Sequence, residues 1–283
     1  MPEVSSAHEE LACSLARRFS TISTVEAIAL GGSQARGATD PKSDIDLYVY
    51  ATAAIPLSAR EALVQSRRAS RADLDLQFWD PGDQWFDAET GIEVDVMYWE
   101  PAWIEDQLDR LWHQHQASLG YSTCFWHTVR YSHALYDRSG WFRALQEKSQ
   151  QPYPEALRAA VIAKNHAVLR RVIPSYANQI EKAVRRADSL SVNHRVSALL
   201  ASYFDVLFAL NRVLHPGEKR LVKQALALCP RLPADMAQGV EAVLRATCSA
   251  DETLLAHVNA LLNGLDDLLQ AEGFDPATSL AMS

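Results

Sequence analysis

Two kinds of hydrophobic periodicity, separated at Gln151-Pro152-Tyr153-Pro154, constrain the fold of this chain more than any other feature. Before that point the ordered-looking segments are short and alternate apolar with polar residues, as half-buried strands do: 44–50, 74–79 and 92–98. After it, long patterns of period 3.6 run through 156–173, 176–187, 190–214, 218–228 and 251–269, with Pro174, Pro216, Pro230 and Pro233 between them. Two prolines within three residues cannot propagate a helix, so 151–154 reads as a domain boundary. The expected class is α+β: a mixed-sheet domain over 1–150, then an antiparallel helical bundle over 151–283. A length of 283 residues suits two domains of ordinary size.

In the first half, Leu11, Leu15 and Phe19 share one helical face within 5–20, and an apolar run from Val25 to Leu30 follows. That is a helix feeding a buried strand, which ends at the pair Gly31-Gly32. Pro56 opens a second helix reaching Arg68, Asp80-Pro81-Gly82-Asp83 has strong turn chemistry, and helices are expected over 102–115 and 140–148.

Charge is distributed unevenly. The net charge is −8, with 13 Lys/Arg against 22 Asp/Glu in residues 1–150 and 14 against 13 in the remainder. An acidic first half suits metal ions, and a locally basic helical half suits phosphates. The overall acidity makes long nucleic acids poor partners, because their binding is dominated by basic residues that neutralise phosphate. Cys13, Cys124, Cys229 and Cys248 never occur as C-x-x-C, which argues against a disulfide framework or a cysteine zinc site. With no cationic start followed by an apolar run, and with Asp205 interrupting the most apolar stretch, a soluble cytoplasmic protein without membrane contact is expected.

The chemistry concentrates in Leu30-Gly31-Gly32-Ser33-Gln34-Ala35-Arg36-Gly37 and the following Ser43-Asp44-Ile45-Asp46-Leu47. Two glycines after a buried strand let backbone N–H groups approach an anion, and the Ser33 hydroxyl and a helix N-terminus add donors. Asp44 and Asp46 are two residues apart, so on a strand they share a face while Ile45 and Leu47 enter the core. Parallel carboxylates repel unless a cation bridges them. A phosphate cradle beside paired aspartates therefore implies metal-assisted phosphoryl chemistry, with Mg²⁺ as the hard cation. Asp95, flanked by Val94 and Val96, can supply a third carboxylate, and Asp75 is its rival.

The glycine-serine turn, the ten-residue interval from Gln34 to Ser43 and the Asp-x-Asp strand resemble the nucleotidyltransferase superfamily typified by DNA polymerase beta. The resemblance implies a compact catalytic domain, Mg²⁺, an NTP such as ATP, and transfer of a nucleoside monophosphate to an acceptor hydroxyl. It implies that Gly32 and Ser33 hold triphosphate, that Asp44, Asp46 and Asp95 ligate metal, and that Asp95 helps deprotonate the acceptor. A small catalytic domain followed by helices is similar to aminoglycoside and lincosamide nucleotidyltransferases. Phe208-Ala209-Leu210-Asn211-Arg212 and His215-Pro216-Gly217-Glu218-Lys219-Arg220 look like a poorly characterised group of their relatives.

Lys219 is a candidate cation closing over triphosphate. Glu93 shares an ideal strand face with Asp95, whereas His113 and His115, two apart on an expected helix, point in different directions and do not suggest a metal site. The leading expectation is Mg²⁺-dependent transfer of AMP from ATP to a small-molecule hydroxyl, with an aminoglycoside or lincosamide as the cationic acceptor. The alternatives are a protein or tRNA acceptor, or a nucleotide-binding interaction module without turnover. Apolar helix stripes can pack inside the bundle or across a homodimer.

Overall fold

The strands Val25–Leu30, Ile45–Ala51 and Glu93–Trp99 of the first half form where apolar residues alternate or run together. The computed structural model describes residues 7–32, 43–78 and 80–274. It divides into two compact units, Met1–Asp109 with Phe125–Gln151 and Arg110–Cys124 with Pro152–Ser283. In the first, β1 (Val25–Leu30), β2 (Ile45–Ala51), β3 (Arg71–Leu76), β4 (Gly82–Phe86), β5 (Glu93–Trp99) and β6 (His133–Asp137) build one sheet. Their order is β3-β4-β5-β2-β1-β6. The β2–β5 pair is parallel and the other neighbours are antiparallel, so the sheet is mixed.

One face of the sheet is covered by α1 (Ala7–Phe19) and α2 (Leu57–Ser66). Leu11, Leu15 and Phe19 of α1 and Leu63 and Val64 of α2 join Leu30, Ile45, Leu47, Val49, Val94 and Val96 in one core. Acidic Glu9 and Glu10 in the first turn of α1 and basic Arg17 and Arg18 in its last complement the helix dipole. Because side chains alternate, burying Ile45, Leu47 and Val49 turns Asp46, Tyr48 and Tyr50 to the opposite face. One end of that second face is roofed by aromatics: Tyr50 meets Trp141 and Phe142 of α5 (Trp141–Ser149). Trp99 meets Trp103 of α3 (Pro101–Trp112) and Phe125 of α4 (Cys124–Tyr131). The other end, which carries Asp46 and Asp95, is only half-buried.

Two strands and two helices depart from the sequence expectation. The turn signal 80–83 ends inside β4, because Gly82 is already paired with Met97 and a side chain there would strike the Val96 carbonyl. Cys124-Phe125-Trp126-His127 carries too mixed a pattern to announce α4, and β6 is a short edge strand added beside β1. Helix α3 stops at Trp112, short of the expected 115, where the Gln116 N–H turns back to the Arg110 carbonyl and His115 adopts a positive φ.

The second unit is helical: α6 (Glu155–His166) with a π turn (Ala167–Arg171), α7 (Tyr176–Arg185), α8 (Ser189–Leu210), α9 (Leu221–Leu228), α10 (Met236–Ala246) and α11 (Glu252–Ala271). The long α8 packs against α6 and α7 and buries Val196, Leu199, Tyr203, Phe204, Leu207 and Phe208. Helix α10, which the sequence pattern did not announce, starts at Met236 after Asp235 in a left-handed conformation and packs on α11. Asp188 and Asp251 cap α8 and α11 by accepting from the Ser191 and Thr253 N–H groups. No helix among the described residues is long and apolar enough to cross a membrane.

Candidate active site

The half-buried end of the sheet is organised by the register between β2 and β5. Asp46 pairs with Asp95, so in this parallel pair the two carboxylates are side-by-side neighbours on one face. Ile45, Leu47, Val94 and Val96 beside them are fully buried on the other face and lock that register. Gly31 continues the row on the β1 side, donating its N–H to the Asp46 carbonyl at 2.8 Å.

The glycine pair is packed tightly onto β2. A side chain on Gly31 would begin inside the ring of Tyr48, and one on Gly32 would begin at the carboxylate of Asp46. Gly32 also has φ +66°, a left-handed conformation that favours glycine. The turn is thus held over the carboxylate row with no room for side chains between them.

Tyr48 is the chief site residue that the motif reading missed. It stacks on Trp99 with ring centroids 4.6 Å apart, and Thr128 of α4 hydrogen-bonds to its phenolic oxygen. Burial first, and then the negative charge of Asp46, raise its pKa well above the ordinary phenol range; Asp95 and Asp80 add to the shift. The field at this end of the sheet is therefore negative. The period-two rule marks Tyr48 as facing the same way as Asp46, but Asp80 and Thr128 come from a turn and a helix that no local pattern connects to it.

The other residues singled out from the sequence are placed as follows. Strand β2 begins at Ile45, so Asp44 lies one residue ahead of the paired strand and is half-buried. Ser33 lies outside the described residues. Asp75, the rival carboxylate, falls at a register shift between Asp73 and Leu76 and pairs with Arg60 at 2.9 Å. Glu93 accepts from Gln84 Nε2 at 2.8 Å. Lys219 is exposed in the turn ahead of α9, in the helical unit.

A hard divalent cation suits the Asp46–Asp95 pair: two oxygen-donor groups stand side by side in a negative field, and bridging would relieve their repulsion. Among the described residues, no group of three or more His, Cys, Asp or Glu side chains is gathered as a metal site. The fit therefore rests on a pair, with remaining coordination positions left for other oxygen donors.

Residues 12–106 match the family described as nucleotidyltransferase domain, and residues 126–221 match a domain of unknown function, DUF4037. Among solved structures, a nucleotidyltransferase-like protein from Exiguobacterium sibiricum is similar at 14% identity and a TM-score of 0.45, over 96% of this chain and 78% of that one. The tRNA-bound CCA-adding enzyme of Thermotoga maritima is similar at 11% identity and a TM-score of 0.32, over 96% of this chain and 83% of its own. Comparison with curated protein sequences gave no match. The residues that match the nucleotidyltransferase domain model contain β1, β2 and β5 with the carboxylate row.

Proposed function

We propose that the chain uses its nucleotidyltransferase domain to move AMP from ATP to a hydroxyl group of a small-molecule acceptor. The observation that carries this reading is Asp46, packed against Gly32 of the turn and paired across the sheet with Asp95. The turn's backbone N–H groups and the Ser33 hydroxyl would hold the triphosphate. Asp46 and Asp95, with Asp44 just ahead of β2, would hold Mg²⁺. Bound there, the ion would acidify the acceptor hydroxyl and neutralise charge on the triphosphate.

Asp95 is read as the residue that receives the acceptor's proton, while an oxygen–phosphorus bond forms at the α-phosphate and the α–β bridge breaks to release pyrophosphate. Asp75 is a weaker candidate because Arg60 already engages it. Lys219 is retained as a triphosphate contact on its charge and exposure. The acidic first half favours a cationic polyol as acceptor, an aminoglycoside or lincosamide among them.

The test is pyrophosphate release with Mg²⁺, each of the four NTPs and an acceptor panel of aminoglycosides, lincosamides, uncharged polyols, tRNA and protein. Release with ATP and a cationic small molecule supports the reading. Release only with tRNA or protein replaces the acceptor class, and no release with any acceptor, together with measurable NTP binding, favours an interaction module.

A further inference from the structure

Tyr48 is explained neither by the glycine motif nor by the carboxylate pair, yet it packs against Gly31 and feels the charge of Asp46. Its ring occupies the space into which a side chain on Gly31 would project, and Asp46, two residues earlier on the same strand face, does the same for Gly32. The ring has little freedom to yield. One face is stacked on Trp99, and the phenolic oxygen is tied to Thr128 on a different element. Trp99 is itself buried among Tyr50, Trp103 and Phe125. Rigidity built into this aromatic cluster is therefore delivered to one point, the backbone of Gly31.

We propose that Tyr48 is a positioning residue for the nucleotide: its ring, braced by Trp99, sets the height of the Gly31–Gly32 backbone above Asp46 and so the placement of the triphosphate relative to the carboxylate pair. This rests on the nucleotidyl-transfer reading and concerns the triphosphate turn, not the metal-binding groups. The ring is the working part. The hydroxyl serves to hold the ring in place.

The experiment measures binding of a fluorescent ATP analogue with Mg²⁺ and, separately, the midpoint of a Tb³⁺ luminescence titration without nucleotide. Tyr48→Val removes the ring but keeps a strand-forming side chain. It is expected to weaken the ATP analogue about 10-fold and to leave the Tb³⁺ midpoint within about twofold, because Asp46 and Asp95 are fixed by strand register. Tyr48→Phe keeps the ring and is expected to bind the analogue as wild type does. Gly31→Ala drives a methyl group into the ring and is expected to weaken binding about as much as Tyr48→Val. In the double variant Gly31→Ala/Tyr48→Val the clash is gone, so binding should be no weaker than in Tyr48→Val alone.

Wild-type affinity in Tyr48→Val, loss in Tyr48→Phe equal to that in Tyr48→Val, or strict additivity in the double variant would each overturn the positioning role while leaving the nucleotide site intact. If Tyr48→Val does not fold, Gly31→Ala with wild-type affinity overturns it equally. A wild-type chain that binds neither the ATP analogue nor Tb³⁺ overturns the underlying reading, and the positioning role with it.

Discussion

The carboxylate of Asp46 stands where a side chain on residue 32 would start, so the glycine turn and the carboxylate strand are fitted to each other without spare space. Gly32 is required twice, once for this approach and once for its φ of +66°. Gly32→Ala is therefore expected to cost about 1–2 kcal/mol in backbone strain alone and to push Asp46 from its place. Urea unfolding should show the stability loss, and calorimetric titration should show affinity for Mg²⁺ and ATP falling by about 10-fold or more.

Asp95 and Asp75 make opposite predictions. Asp95→Asn removes one of two adjacent like charges, so the fold should be retained or slightly stabilised while turnover falls by about 100-fold or more. Asp75→Asn only weakens an ion pair whose carboxylate is largely exposed, and turnover should stay within about threefold of wild type. Pyrophosphate release and thermal melting of both variants decide the matter. If Asp75→Asn alone abolishes turnover with its melting curve intact, the third carboxylate has been assigned to the wrong strand.

Beneath the opposite sheet face, Arg60 bridges Asp83 at 2.6 Å and Asp75 at 2.9 Å, and Tyr98 donates its hydroxyl to Asp83 at 2.6 Å. Asp83 is 1% exposed. Arg60→Ala would strand a buried carboxylate with no cation and should destabilise the domain by about 3–5 kcal/mol. Double replacement Arg60→Met/Asp83→Leu should recover most of that loss, because removing both charges leaves nothing unpaired. Urea unfolding of the single and double variants measures both quantities.

How much of this was legible in the sequence depends on the range of the signal. Asp46, Asp95 and the buried residues flanking them were readable because strand alternation is a local rule, and the parallel pairing then made the two aspartates neighbours. The α+β class was readable from the change of hydrophobic period along the chain. By contrast, Asp83 looked like turn punctuation because its partner Arg60 lies 23 residues away. Tyr48 looked like one more strand aromatic because its meaning comes from Gly31 across the sheet and Thr128 on α4. Residues 110–124 group with the helical unit through Asp205 and Asn165, whose bonds to Ser122 and Gly120 span 83 and 45 residues, a separation over which no sequence pattern operates.

Those long-range bonds lead to a prediction about pH. Asp205 is buried in the helical unit and accepts from Ser122 N–H, Ser122 Oγ and Asn165 Nδ2, without a cation. Burial raises its carboxyl from 3.8 to about 7, although these hydrogen bonds oppose the shift. His215, also fully buried, accepts from the Gly217 N–H at Nδ1, and burial lowers it from 6.5 to about 4. The neighbouring Cys124 thiol, pushed up to about 12 mainly by burial, does not titrate in this range. The signs follow from proton counts. Between the unfolded and folded values of Asp205 the folded state binds more protons, so its contribution is present at low pH and is lost as pH rises toward 7. For His215 the unfolded state binds more protons, so its contribution is present above 6.5 and is lost as pH falls toward 4. The two slopes oppose each other, each at most about 1.4 kcal/mol per pH unit, and the wild-type profile should be flattened between them. Asp205→Asn is expected to expose the histidine slope, with stability rising from pH 4.5 to 6.5 relative to wild type. His215→Phe, which keeps an aromatic ring against Tyr121 and Phe208, is expected to expose the aspartate slope, with stability falling from pH 4.5 to 6.5 relative to wild type. Urea unfolding at intervals across this range gives both difference curves, and an Asp205→Asn curve parallel to wild type would show that the folded protein does not hold Asp205 protonated.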